Sequence, residues 1–325
     1  MPDPDRSAAP GGRLSPLRDA PWLNATRLRA YAWMLLAAQA AVAASVLFGE
    51  GLLDLAGNPV GTDFSSFWTA SRLALDGAPL LAWDPAAHHA AQRALFGADV
   101  PYFAFFYPPP FLLACLPLAL LPYGWSLAAW LLATLAAWLG ALRALLPQRW
   151  AVLAMLAFPA AWVNVTHGQN GFLTAALFAA AALALDRRAW VAGLCIGALV
   201  IKPHLAVAIP LALLVTRRWA AVLAAALASL TFLGLSWLVF GEAGWRAFLA
   251  VSALARETLE AGLVEPGKMV SVFAAARLLG AGLTVAWVVQ GLTALAAAAL
   301  VGAALRRSAS GVATLAVAAA ATPLM

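Results

Sequence analysis

From about residue 30 onward the chain alternates long apolar runs with short polar interruptions, and the runs greatly exceed the length of a buried strand. At about 1.5 Å per helical residue, roughly 20 apolar residues cross the roughly 30 Å of hydrocarbon in a bilayer. The pattern therefore predicts membrane helices, the first at about 31–48, later ones including about 219–239 and about 283–305. The stretch "YPPPFLLACLPLALLPYGWSLAAWLLATLAAWLGALRALL" is too long for one span, yet Pro108, Pro109, Pro110, Pro117 and Pro122 break its first half. It reads as one net crossing over 108–146 preceded by a re-entrant or interfacial segment. The run from 311 to Met325, "TLAVAAAATPLM" at its end, is short for a full span and reads as the sign of a truncated chain. No repeat of fixed period and no matched pair of broken helices emerges, which disfavours a transporter built by duplication.

Composition excludes a soluble domain: the 325 residues are 64% hydrophobic and 10% charged, with mean hydropathy +0.87. The fold class is an all-α polytopic integral membrane protein. An excess of 20 Lys and Arg over 14 Asp and Glu reflects topology in such a chain and implies no nucleic-acid partner. Used as a compass, positive charge keeps residues 1–29, with five arginines among Pro and Gly, as a disordered cytoplasmic tail. It places Arg143, Arg149, Arg187, Arg188, Arg217, Arg218, Arg306 and Arg307 inside, and the loops 50–107 and 240–268 outside, with the turns "HGQN" and "KPH". The transmembrane domain is then 30–325, in the cytoplasmic membrane. Cys115 and Cys195 lie inside apolar runs and read as small buried hydrophobes.

The unusual polar residues Asp63, Arg72, Tyr107, Asn164, His167, Gln169, Asn170, Lys202 and His204 all fall near span ends on the predicted external side. Polar groups at membrane depth are costly and tend to face a water-filled cavity, whereas capping and snorkelling are the competing explanations. For Asp63 in "GTDFSSFWTASRLALDGAPL", the alternative to a general base is an N-cap to the following helix. Aromatic neighbours beside the bilayer are what a base would use to exclude water and raise its pKa. Lys202, between "GLCIGALVI" and Pro203, reads either as an anion-binding amine or as a snorkelling one. His88 and His89 read as solvated loop residues. There is no P-loop, no G-x-G-x-x-G, no H-E-x-x-H and no paired-Cys pattern, and the D-x-D at Asp3-Pro4-Asp5 lies in the tail. No metal site and no cofactor are expected.

Four segments in order, "DFSSFWTASRLALDGAPLLAWDP", "FFYPPPFLLACLPLALLPYGWSLAAW", "NVTHGQNGFLTAALF" and "AGLCIGALVIKPHLAVAIPLALLVTRRW", resemble glycosyltransferase family 87. The resemblance covers most of residues 61–290. It implies a GT-C bundle whose large external loops carry short interfacial helices, and a mannosyltransferase-like enzyme. Such an enzyme would move a hexose from a polyprenyl-phosphate donor to a lipid, glycan or glycolipid acceptor on the external face, within membrane lipid. Asp63 would be the general base, with Arg72, Tyr107, His167, Gln169, Asn170, Lys202 and His204 binding substrate or donor. A transporter or flippase of a lipid-linked or anionic substrate is the alternative from a different class, and an inactive truncated paralogue a third.

Overall fold

The computed structural model describes residues 24–47, 49–264, 267, 269–306 and 310–325. The tail before residue 24, Glu265 and Arg307 lie outside the described residues. The protein is all-α: among the described residues the sole pairing outside helices is an isolated bridge between Leu53 and Pro59. In chain order the helices are α1 (Ala25–Leu47), α2 (Thr62–Leu75), α3 (Pro85–Phe96), α4 (Pro109–Cys115), α5 (Tyr123–Leu145), α6 (Arg149–Ala157) and α7 (Pro159–His167). They continue with α8 (Gly171–Ala184), α9 (Ala189–Ala198), α10 (Ile209–Val215), α11 (Trp219–Glu260), α12 (Val272–Leu278), α13 (Leu283–Leu305) and α14 (Gly311–Ala321). Helices α5, α11 and α13 are long and apolar enough to cross a membrane, and α6 with α7 could form one broken span bent by 57°. The chain is an integral membrane protein.

The prolines act where the pattern expects. Pro108 caps α4, which opens on Pro109 and Pro110, the 3-10 turn at 116–120 carries Pro117, and Pro122 caps α5. Proline offers no N–H to the preceding turn, so it starts helices and ends them. Residues 109–120 thus remain a short apolar piece.

Two expectations change. The stretch 240–268 is not an open loop: α11 stays helical to Glu260 across a break at Gly241, whose φ 64° and ψ −174° suit glycine alone. Residues 242–260 are rich in Ala, Leu and Glu, and the ion pairs Glu242–Arg246 and Arg256–Glu260, four residues apart, reinforce the helix. His88 is not solvated either. It is fully buried on α3, stacked on Phe105 at 6.3 Å, and burial lowers its pKa to about 4. On the same face of α3, Gln92 clamps the returning chain by bonding both the N–H and the carbonyl of Phe103 (3.1 and 2.8 Å). His89 is bonded at 2.9 Å to the carbonyl of Val100.

Among the described residues the buried apolar side chains form three clusters, the smallest holding Trp138, Met155 and Phe172 from α5, α6 and α8. An aromatic one gathers Phe64, Phe67, Trp83, Phe105, Phe111 and Tyr123 around α2, with edge-to-face contacts such as Phe67–Phe111 at 4.9 Å. The second interleaves alanines with Leu, Ile and Val side chains of α8, α9, α10, α11, α13 and α14. In it Gly193 and Gly197, one turn apart on α9, lie directly against α11. A Cβ at Gly197 would come within 2.5 Å of the Ala228 Cβ and 2.7 Å of the Ala225 carbonyl. Small residues at such a seam let backbones approach, which is what drives helix association in lipid. Gly197→Ala is therefore expected to destabilise the protein by about 1–3 kcal/mol through overpacking. Gly302→Ala, where a Cβ meets nothing within 4 Å, should not. Thermal midpoints of the two variants in detergent check this, and equal midpoints would refute the close-packed seam.

Helix α8, 14 residues and thus about 21 Å long, separates two polar ends. Just beyond its C-terminus Asp186 pairs with Arg218 and accepts the N–H of Gly311 at 2.7 Å, so the arginine-rich turns 186–188 and 217–218 and the start of α14 meet there. At its N-terminus stands a different cluster.

Candidate active site

The glycine at 61 takes φ 76° and serves as the N-cap of α2, placing Thr62 and Asp63 in the first turn. The Asp63 side chain makes no cap bond. Its Oδ2 accepts instead from the Gln169 Nε2 at 2.8 Å, across 106 residues of chain. Gln169 belongs to the turn between α7 and α8, where Gly168, with φ 61°, ends α7. That turn is held down by the Trp130 indole N–H, which donates to the Gly168 carbonyl at 3.1 Å. A side chain at Gly168 has no room, since its Cβ would stand 2.5 Å from that of Phe64.

Three further groups join. The Tyr107 hydroxyl donates to the Gln169 Oε1 at 3.1 Å, as does the Asn170 backbone N–H at 2.8 Å. Asn170, fully buried at the start of α8, accepts the Lys202 ammonium on its Oδ1 at 3.0 Å. Lys202 leaves helical geometry (φ −148°, ψ 69°) between two 3-10 turns, where Pro203 disfavours helical continuation, and its Nζ lies 5.8 Å from the centre of the Tyr107 ring. It is half-buried rather than extended into water. The carboxylate and the amine are thus linked through Gln169 and Asn170.

Burial holds the pKa of Asp63 above its ordinary value, while His167, Lys202 and the Gln169 bond pull it down. For Lys202 burial lowers the pKa and Asp63 opposes it. A partly desolvated acid facing a partly desolvated amine is a common signature of functional sites.

The remaining expected site residues stand as follows. His167 is exposed at the end of α7 and close enough to Asp63 to act on its charge, but its Nδ1 is turned to the Val163 carbonyl and the Thr166 hydroxyl (2.9 and 3.0 Å). His204 is exposed two residues beyond Lys202. Arg72, nine residues along α2 and so about 13 Å from Asp63 in the axial direction, forms a half-exposed pair with Asp76, its Nε 2.9 Å from the carboxylate. Asn164 is buried and its Oδ1 accepts the Phe172 N–H at 3.2 Å, tying α7 to α8. Trp130 and Tyr123, whose hydroxyl donates to the Val60 carbonyl at 2.6 Å, support the site without any mark in the sequence, because aromatic residues in apolar helices are ordinary. Among the described residues no three His, Cys, Asp or Glu side chains come together as a metal-binding group.

Comparison with curated proteins and with solved structures returns no match. The family model for glycosyltransferase family 87 matches residues 105–325, which include Tyr107, Gln169, Asn170 and Lys202, while Asp63 lies upstream of the matched segment. A membrane bundle that presents a half-buried carboxylate, a half-buried amine and amides at one end of its helices suits sugar transfer, and with two thirds of its length matched the chain belongs to glycosyltransferase family 87.

Proposed function

We propose that this glycosyltransferase moves a hexose, of the mannosyl type, from a polyprenyl-phosphate donor to a glycolipid or glycan acceptor on the external face of the cytoplasmic membrane. The observation that carries the reading is the linked pair: Asp63 on one side of Gln169 and Asn170, Lys202 on the other. Nucleotide sugars are not expected outside that membrane, so an external transferase needs a donor carried in lipid. Lys202 would hold the donor phosphate as a point charge. An acceptor hydroxyl would attack the anomeric carbon, giving its proton to the Asp63 carboxylate as the new C–O bond forms. The bond from that carbon to the phosphate oxygen breaks with its electron pair, releasing polyprenyl phosphate with inversion.

An apolar groove of about 430 Å³ between α5, α8 and α14 supports the lipid part of the reading. Its lining includes Thr174, one turn from Asn170, and Leu205, three residues from Lys202, with Phe178 and Leu315 deeper. An isoprenoid chain laid there would be covered by side chains of its own polarity.

The test is transfer of radiolabel from polyprenyl-phosphate mannose to a mixed glycolipid extract in vesicles reconstituted with the full chain. Transfer supports the enzyme. Translocation of the labelled lipid across the vesicle membrane without transfer would instead establish a flippase.

The external placement has its own check. Cysteines at His167 and Ala261, both exposed, should label from outside in a Cys195→Ala background, and one at Arg188 only after permeabilisation. Gly168 cannot serve as the probe, given its φ and its contact with Phe64. Opposite labelling of His167 and Ala261 would overturn the assignment.

A further inference from the structure

The structure assigns Gln169 to Asp63 rather than to the sugar: its amide is locked so that it holds the carboxylate in one orientation, an inference that rests on Asp63 being the base. The lock is a matter of donors and acceptors. A side-chain amide has one oxygen and one nitrogen, and which is which follows from the partners. The Asn170 backbone N–H can only donate, so the Gln169 atom facing it at 2.8 Å is the oxygen. That oxygen also takes the Tyr107 hydroxyl at 3.1 Å, which fills both of its lone pairs. The nitrogen therefore faces Asp63 and donates to Oδ2 at 2.8 Å. With the oxygen saturated and one of its two N–H groups given to Asp63, Gln169 keeps no acceptor and a single N–H for a sugar hydroxyl.

The consequence for Asp63 has two parts. One carboxylate oxygen is fixed, and among the described residues no protein group bonds the other, Oδ1, which is left for the acceptor hydroxyl. The bond also favours the ionised carboxylate, acting against the burial that raises its pKa. Three other titratable groups face Asp63: His167 from the end of α7 and Lys202 from the turn after α9, which favour ionisation, and Tyr107, a hydrogen-bonded phenol whose own pKa is raised by burial and then by Asp63. None of them replaces the Gln169 donor at Oδ2.

A base must be ionised to act, so activity falls as pH drops through its pKa. Removing the donor raises that pKa, and the loss must then begin at higher pH. With the full chain in vesicles and radiolabelled polyprenyl-phosphate mannose as probe, Gln169→Leu should move the acidic limb of kcat/KM upward by about one pH unit. Donor affinity should stay within a few-fold, because Lys202 and Asn170 remain. Gln169→Glu should move the limb further in the same direction, since two carboxylates in contact cannot both ionise freely. Tyr107→Phe keeps the fold's bulk and removes one of the two locks, so a smaller upward shift is expected even if Gln169→Leu fails to fold.

An unshifted limb in the variants that fold would overturn the inference, as would a raised acceptor KM with an unchanged pH profile, the mark of a direct sugar contact. Failure of the underlying reading looks different: Asp63→Asn would then keep its turnover.

Discussion

Asp63→Asn is expected to fold normally, to keep its affinity for the donor and to turn over roughly 100-fold or more slowly than the parent. The structure makes the experiment decisive because it removes the competing role. If Asp63 were a helix cap, asparagine would replace it at little cost. The N-cap of α2 is Gly61, and the Asp63 carboxylate makes no cap bond. Asparagine can still accept the Gln169 amide through its own oxygen, so the network around Tyr107, Gln169 and Asn170 survives the change. What vanishes is the ability to take a proton from an attacking hydroxyl. Turnover within a few-fold of the parent, with folding intact, would refute the assignment of Asp63 as base.

The second large effect belongs to Lys202. Lys202→Ala is expected to weaken binding of the polyprenyl-phosphate donor by about 10-fold or more, the scale of one charge-assisted contact to a phosphate oxygen. Lys202→Arg should retain part of the affinity, because the charge survives while the compact ammonium becomes a planar fork. The amine is held inward by Asn170 at 3.0 Å and by the nearby Tyr107 ring, which is not how a snorkelling lysine is arranged. Burial lowers its pKa, and the Asp63 carboxylate opposes that shift by favouring the ammonium form. Donor affinity measured by equilibrium binding to the purified variants reads this directly. If both variants bind the donor as the parent does, the ammonium serves only to brace Asn170.

The two predictions involve residues that lie far apart in the chain, and this separates what a sequence can reveal from what it cannot. Tyr107 and Gln169 are 62 residues apart, Asp63 and Gln169 are 106 apart, and Asn170 and Lys202 are 32 apart. Each could be singled out because a polar group beside an apolar run is costly and therefore conspicuous. Their partners could not be. Arg72 was equally conspicuous, yet nine residues of helix carry it away to Asp76. His88 looked like loop and is core, because α3 folds back on the segment around Phe103 and buries the face that His88 shares with Gln92.

By itself, then, the sequence determined the all-α membrane class, the spans of α5, α11 and α13, the proline-broken piece before α5, and the set of polar residues worth asking about. All of these follow from local properties: apolar run length against bilayer thickness, and proline's missing N–H. Only the tertiary structure decided that α11 continues past Gly241, that Gly193 and Gly197 form a seam, and that Gln169 bonds Asp63 while Asn170 bonds Lys202. Those outcomes depend on which faces of distant helices meet, and in an Ala- and Leu-rich chain many faces look alike until packing selects one arrangement.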